Sequence, residues 1–127
     1  TIRPNGLAFS PDGKTLYVAD TEPKVINSYP VNGDGTLGAG KLFAELPGKE
    51  GEVGGPDGFK VDVEGNVYSS GPSGMWIFSP GGTLLGRVNM PEVPANCAWG
   101  DSDWKSLYMT SRTGLYRMRV NVPGLPV

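Results

Sequence analysis

Short runs of alternating apolar and polar residues dominate the chain, and turn-forming residues separate them. Four such runs follow one another in the first third of the sequence, at residues 6–10, 15–20, 25–31 and 41–46. Alternation with a period of two, bounded by Gly, Pro, Asn and Asp, predicts β-strands joined by tight turns. The four runs therefore predict a four-stranded antiparallel meander.

The same plan occurs twice more along the chain. The second unit has runs at residues 59–63, 66–70, 74–79 and 84–89, and the third has only three, at 96–100, 106–110 and 114–120. Repeats of about 40 to 50 residues with four short strands are typical of propeller blades. The sequence therefore predicts an all-β fold: one partial β-propeller domain over residues 1–127, with blades at about 4–46, 56–89 and 94–120.

Three blades would leave sheet edges and a core face open, and propellers have roughly four to eight blades. The third unit also lacks its outer strand, and residues 1–3 are too few to supply it. The chain opens on Thr in the middle of a repeat, as a processed or excised segment would. We expect the C-terminal half of a roughly six-bladed propeller, or a half-propeller that closes as a homodimer or with a complementing N-terminal half.

The composition excludes several classes of function. There is no histidine, which excludes a Ser-His-Asp or Cys-His nucleophile system within this chain. A net charge of -2, from 11 basic and 13 acidic residues, offers no basic surface for nucleic acid or an anionic membrane. The single cysteine, Cys97, cannot form an intramolecular disulfide and is interpreted as a buried structural thiol. The cellular compartment stays open.

Asn5 and Asp57 are the candidate site residues. Each lies between a Pro and a Gly at the start of the first strand of its unit, and innermost propeller strands line the central channel. Their side chains carry hard oxygen donors suited to Ca²⁺, with Mg²⁺ and Mn²⁺ as alternatives. The same residues are also ordinary turn formers, and that explanation stands beside the first. Asn96 is offset by one residue and either approaches the channel mouth or forms a local turn bond.

The ordered motifs Pro4-Asn5-Gly6, Pro56-Asp57-Gly58 and Asn96-Cys97-Ala98 resemble the senescence marker protein/gluconolactonase/luciferin-regenerating enzyme family of six-bladed propellers. The resemblance spans nearly all of the chain. It implies a divalent metal in the central channel, held by one Glu, two Asn and one Asp. Asn5 and Asp57 match one Asn and the Asp, whereas the Glu and the other Asn belong to earlier blades that this sequence does not contain.

The resemblance implies metal-dependent hydrolysis of a small sugar-type lactone, with Asp57 as metal ligand and general base. Ca²⁺ is the expected metal, and Zn²⁺, Mg²⁺ and Mn²⁺ are alternatives. Lys105 and Arg112 are basic residues that could reach the substrate from the rim. Two other functions remain open: a non-catalytic half-propeller that acts in assembly or binding, and a propeller esterase or phosphotriesterase-like hydrolase.

Overall fold

The computed structural model describes residues 2–126, which form three antiparallel β-sheets. The first sheet contains β1 (Pro4–Phe9), β2 (Thr15–Asp20), β3 (Val25–Pro30) and β4 (Lys41–Glu45). The second contains β5 (Phe59–Val61), β6 (Val67–Gly71), β7 (Gly74–Phe78) and β8 (Leu84–Asn89). The third contains β9 (Pro94–Gly100), β10 (Ser106–Ser111) and β11 (Leu115–Arg119). Each sheet is a meander of consecutive strands, which confirms the predicted all-β propeller blades.

Apolar side chains fill two layers between the sheets. The layer between the first and second sheets is built around Ile26, Phe59 and Phe78, all nearly inaccessible to water. The layer between the second and third sheets is built around Met75, Cys97, Leu107 and Met109. Burying one such large side chain stabilises the folded state by about 1.5 to 3 kcal/mol. Cys97 is a free, buried cysteine, as the sequence predicted.

Strand β5 is shorter than predicted and ends at Val61, because Asp62 folds the following turn. The buried carboxylate of Asp62 accepts hydrogen bonds from the backbone N–H groups of Glu64 and Asn66 and from Nδ2 of Asn66. An aspartate that satisfies the N–H groups of the residues after it is typical of an Asx-turn. The start of β9 also differs from the prediction and lies two residues earlier, at Pro94.

The outer face of the first sheet is apolar and exposed. Register places Leu7 opposite Val18, and Phe9 opposite Leu16, on the face turned away from the second sheet. Leu7 is 60% exposed and Leu42, on the same face, is 54% exposed. Among the described residues no sheet covers this face. No helix within residues 2–126 has the length and apolar character needed to cross a membrane.

Candidate functional site

The innermost strands of the three sheets, β1, β5 and β9, start side by side; we call this region the channel mouth. The N–H of Gly6 donates to the carbonyl of Asp57 at 3.0 Å, and the N–H of Gly58 donates to the carbonyl of Ala95 at 2.8 Å. Both glycines are needed for this close approach. A Cβ on Gly6 would overlap the Asp57 carbonyl oxygen, and one on Gly58 would overlap the side chain of Asn96.

Asn5 lies exposed at the channel mouth, at the start of β1. Its Nδ2 donates a hydrogen bond of 3.3 Å to Oγ1 of Thr21, which directly follows β2. Its Oδ1 accepts no hydrogen bond from any residue in the range 2–126. The amide is therefore tethered through its nitrogen, and its oxygen is available to a ligand.

Asp57 lies two residues before β5 and is partly buried. Its backbone N–H donates to Oγ of Ser70 at 2.9 Å, and Ser70 is completely buried. Within the part of the chain that the structure describes, the Asp57 carboxylate makes no hydrogen bond or ion pair. The backbone of Asp57 is thus anchored, while both side-chain oxygens remain available as acceptors.

Asn96 does not add a third oxygen donor of the same kind. Its Oδ1 accepts a hydrogen bond of 2.8 Å from the N–H of Cys97, which is the local turn bond that the sequence left open. Ala95, not Asn96, accepts the hydrogen bond that corresponds to the one accepted by Asp57. The one-residue offset seen in the sequence therefore has a direct counterpart in the hydrogen bonding between sheets.

Asn5 and Asp57 carry oxygen donors that suit a hard divalent cation, but two side chains are too few to complete its coordination. One contributes a carboxamide oxygen and the other a carboxylate, and Ca²⁺ takes about six to eight such oxygens. Among residues 2–126 there is no group of three or more His, Cys, Asp and Glu side chains that could hold a metal ion. The remaining ligands would have to come from water and from groups outside this chain.

Two titratable side chains near β5, those of Cys97 and Tyr68, are unsuited to proton transfer at neutral pH. Burial raises the pKa of the Cys97 thiol to about 12, although the nearby Lys60 ammonium opposes the shift. Burial, together with the negative charge of Asp62, also raises the pKa of Tyr68 to about 12. The Cys97 thiol and the Tyr68 phenol therefore stay protonated at neutral pH and cannot act as bases there.

Three polar residues around the site were not singled out from the sequence. Thr21 and Ser70 hold Asn5 and Asp57 through hydrogen bonds that join residues 16 and 13 positions apart. Lys60 lies on β5, three residues after Asp57, and lines a cavity of about 470 Å³. The sequence does contain an indication of Lys60, because it is a charged residue between the buried Phe59 and Val61 of an innermost strand.

The two rim residues lie at opposite ends of the third sheet. Lys105 precedes Ser106, which pairs with Gly100 at the end of β9 remote from Asn96. The expectation that Lys105 reaches a substrate at the channel mouth is therefore wrong, because strand direction places it at the other end. Arg112 follows Ser111, which pairs with Pro94 at the same end as Asn96. Only Arg112 keeps a position compatible with that expectation.

The sequence matches the profile described as "SMP-30/Gluconolactonase/LRE-like region" over residues 1–113. The chain therefore belongs to this family, as the motif resemblance indicated. It is 32% identical to a gluconolactonase from Zymomonas mobilis over 129 aligned residues, which cover 96% of the chain. It is 34% identical to a 6-deoxy-6-sulfogluconolactonase from Pseudomonas putida over 94% of the chain.

Solved structures give the same result for the fold. A gluconolactonase from Xanthomonas campestris superposes with a TM-score of 0.79 and 36% identity over 96% of this chain and 38% of its own. A calcium-binding protein, regucalcin, from Agrobacterium tumefaciens superposes with a TM-score of 0.83 at 23% identity, over 97% of this chain and 48% of its own. That second likeness concerns the fold alone.

The chain spans only part of the length of these relatives. It covers 36% of the Zymomonas gluconolactonase and 47% of the Pseudomonas enzyme. Its three sheets thus match part of a larger propeller.

Proposed function

We propose that this chain contributes the Asn5 and Asp57 ligands of a metal-dependent lactonase that hydrolyses a sugar-type lactone. One observation carries the proposal. The two residues lie at the starts of adjoining innermost strands, joined by the bond from Gly6 to Asp57, and their side-chain oxygens accept no hydrogen bond from residues 2–126. Gluconolactonase and 6-deoxy-6-sulfogluconolactonase among the relatives support a sugar lactone as the small-molecule substrate.

A divalent cation bound at the channel mouth would supply Lewis-acid polarisation of the lactone carbonyl. Asn5 would hold it through Oδ1, and Asp57 through one carboxylate oxygen. Asp57 accepts a proton from the water whose oxygen bonds to the lactone carbonyl carbon. The bond between the carbonyl carbon and the ring oxygen then breaks, and the ring oxygen takes up the proton that Asp57 had accepted, so that the product is an open-chain hydroxy acid and Asp57 is ionised again.

Ca²⁺ is the cation we propose for this site. Carboxylate and carboxamide oxygens favour it, whereas Zn²⁺ sites in proteins commonly include nitrogen or sulfur ligands. One relative in fold, regucalcin, is described as a calcium-binding protein. Mg²⁺, Mn²⁺ and Zn²⁺ are the alternatives, to be separated by titration of the metal-depleted protein with each ion.

The ligand set is completed from outside this chain, either by a complementing N-terminal half or by a second copy. The exposed apolar face that carries Leu7, Phe9 and Leu42 supports an added sheet at this position. In a two-fold homodimer, two Asn5 and two Asp57 side chains would surround the axis. Light scattering with and without Ca²⁺ tests this. A dimer supports self-pairing. A monomer whose mass does not change with Ca²⁺ excludes self-pairing and leaves the complementing N-terminal half.

The lactonase proposal is tested by Asp57→Asn, which removes the charge and keeps the shape of the side chain. We expect hydrolysis of glucono-δ-lactone, followed by acid release at constant pH, to fall by about 100-fold or more in the assembled protein. Asp34→Asn is the matched control, because Asp34 lies in the exposed turn between β3 and β4. Equal activity of Asp57→Asn and the wild-type protein would refute the proposal.

Two other functions make different predictions for the same variants. A non-catalytic assembly or binding module is favoured because residues 2–126 contain no group of three or more potential metal-binding side chains. It predicts that Asn5→Ala and Asp57→Ala leave assembly intact and remove no activity. An esterase or phosphotriesterase-like hydrolase would share the metal site and differ in the groups outside this chain. Assays with a lactone, a carboxylic ester and a phosphotriester side by side separate the hydrolases.

A further inference from the structure

Thr21, in the turn between β2 and β3, makes three hydrogen bonds to residues outside that turn. Its backbone N–H donates to the carbonyl of Arg3 at 3.0 Å. Its hydroxyl donates to the carbonyl of Pro56 at 2.8 Å, and the same oxygen accepts a bond of 3.3 Å from Nδ2 of Asn5. Thr21 therefore links the strand start that carries Asn5 to the segment that carries Asp57.

The direction of these bonds follows from counting donors. A carbonyl oxygen can only accept, so the single hydroxyl proton of Thr21 is committed to Pro56. The Thr21 oxygen can then only accept a hydrogen bond from Asn5. The NH₂ half of the Asn5 carboxamide must face Thr21, and Oδ1 must face away from it. A carboxamide binds a hard cation through oxygen, so this orientation is the one a ligand role requires.

The carbonyl of Pro56 and the N–H of Asp57 belong to one peptide unit. Thr21 donates to its oxygen, while Oγ of the buried Ser70 accepts from its nitrogen at 2.9 Å. Two hydroxyl groups from two different sheets thus hold the peptide plane immediately before the Asp57 side chain. Thr21 therefore contacts Asn5 directly and also holds the peptide unit before the Asp57 side chain, whereas Ser70 holds only that peptide unit.

We propose that Thr21 is a positioning residue that turns Oδ1 of Asn5 toward the ligand and fixes the peptide unit before Asp57. The ligand role of Asn5 rests on the proposed function, whereas the orientation of its amide does not. Outer groups that orient ligands in this way typically change metal affinity by about 10- to 100-fold when they are removed.

The test compares Thr21→Val, which keeps the shape but removes the hydroxyl, with Thr21→Ser, which keeps the hydroxyl. The two Nδ2 protons of Asn5 give separate resonances in a spectrum of the ¹⁵N-labelled chain. We expect Thr21→Val to shift them to the position of a solvent-exposed amide and to speed their exchange with water. Thr21→Ser should leave them in place.

Ca²⁺ titration of the same variants provides the second measurement. We expect Thr21→Val to weaken Ca²⁺ binding about tenfold and Thr21→Ser to stay close to the wild-type affinity. If Thr21 acts through Asn5, adding Thr21→Val to Asn5→Ala should weaken binding much less than it weakens the wild-type chain. A role in folding alone would lower the melting temperature of Thr21→Val without this dependence on Asn5.

Unchanged Asn5 resonances in Thr21→Val would overturn the proposal, and an equal loss of affinity with and without the Asn5 side chain would overturn the role of Thr21 through Asn5. A different result separates this inference from the proposed function. If the wild-type chain shows no response to Ca²⁺ while Thr21→Val still moves the Asn5 resonances, the orienting role is supported and the metal role is the part that fails.

Discussion

The N–H of Gly6 donates a hydrogen bond of 3.0 Å to the carbonyl oxygen of Asp57, so the starts of β1 and β5 are joined beside both candidate ligands. A Cβ at Gly6 would occupy the space of that oxygen. The strand start cannot accept a larger residue unless one sheet moves relative to the other. The packing of the two strand starts therefore also fixes the positions of Asn5 and Asp57 relative to each other.

Gly6→Ala should destabilise the fold, because the overlap is with backbone atoms, which cannot rotate away. We expect a loss of about 1 to 3 kcal/mol in the free energy of unfolding, measured by urea denaturation. Gly33→Ala is the matched control, since a Cβ at Gly33 meets no atom within 4 Å. A Gly6→Ala protein as stable as Gly33→Ala would show that the approach of the two strands is not a close one.

Arg87 should hold the segment between β4 and β5, which leads to the channel mouth. It donates to Oε1 of Glu52 and to the carbonyl of Pro72, both at 2.9 Å, and its guanidinium lies 4.3 Å from the ring centre of Trp76. Arg87→Met keeps an unbranched side chain but removes the charge, the hydrogen bonds and the cation–π contact. We expect a loss of about 1 to 2 kcal/mol in unfolding free energy.

The control for Arg87 is Arg117→Met. Arg117 is well exposed and pairs with Asp101 only at 4.0 Å, so its loss should cost less than about 0.5 kcal/mol. Equal losses for the two variants would mean that the stacked, hydrogen-bonded geometry of Arg87 adds nothing to an ordinary surface charge.

Stability should fall in acid because two aspartates beside the third sheet, Asp101 and Asp103, have lowered pKa values. The hydrogen bond from Arg119 lowers the pKa of Asp103 to about 2, and a hydroxyl bond from Ser106 lowers the pKa of Asp101. A lowered folded-state pKa stabilises the protein above the unfolded value of about 3.9, and this contribution is lost as the pH falls toward 2. Melting temperatures between pH 5 and pH 2 should therefore drop, and they should drop less steeply in Asp103→Asn. Identical slopes would contradict this assignment.

Cys97 should be unreactive while the protein is folded. Its thiol is buried and its pKa is raised to about 12, so the reactive thiolate is scarce at pH 8. We expect a colorimetric disulfide reagent to modify Cys97 only after denaturant is added. Rapid modification of the native chain would mean that the layer between the second and third sheets opens readily.

The repeat pattern predicted the strands and the positions of Asn5 and Asp57 because both depend on local rules. Alternation and turn residues specify each meander, and the shared Pro and Gly neighbours place the two residues at matching strand starts. The contacts of Thr21 and Ser70 were not predictable in the same way. Thr21 looks like any residue in a tight turn, and its bond to Pro56 spans 35 positions between two sheets.

The local bond of Asn96 and the position of Lys105 show the same limit on a smaller scale. The sequence placed Asn96 one residue out of register but could not say which of two roles followed. The hydrogen bond from Cys97 shows that the local bond forms, and the same side chain also lies against Gly58 at the channel mouth. Lys105 was assigned to the rim by charge alone, although strand direction puts it at the remote end of β9.

The most direct test of the central claim is a Ca²⁺ titration followed by ¹H–¹⁵N spectra of the labelled chain, because such spectra detect even weak binding. We expect shifts to concentrate at the Asn5 side chain and at the N–H groups of Gly6 and Gly58, and we expect Asp57→Asn to abolish them. A chain that shows no shift there, or that responds only at the turn of Asp101 and Asp103, would contradict a metal site at the channel mouth.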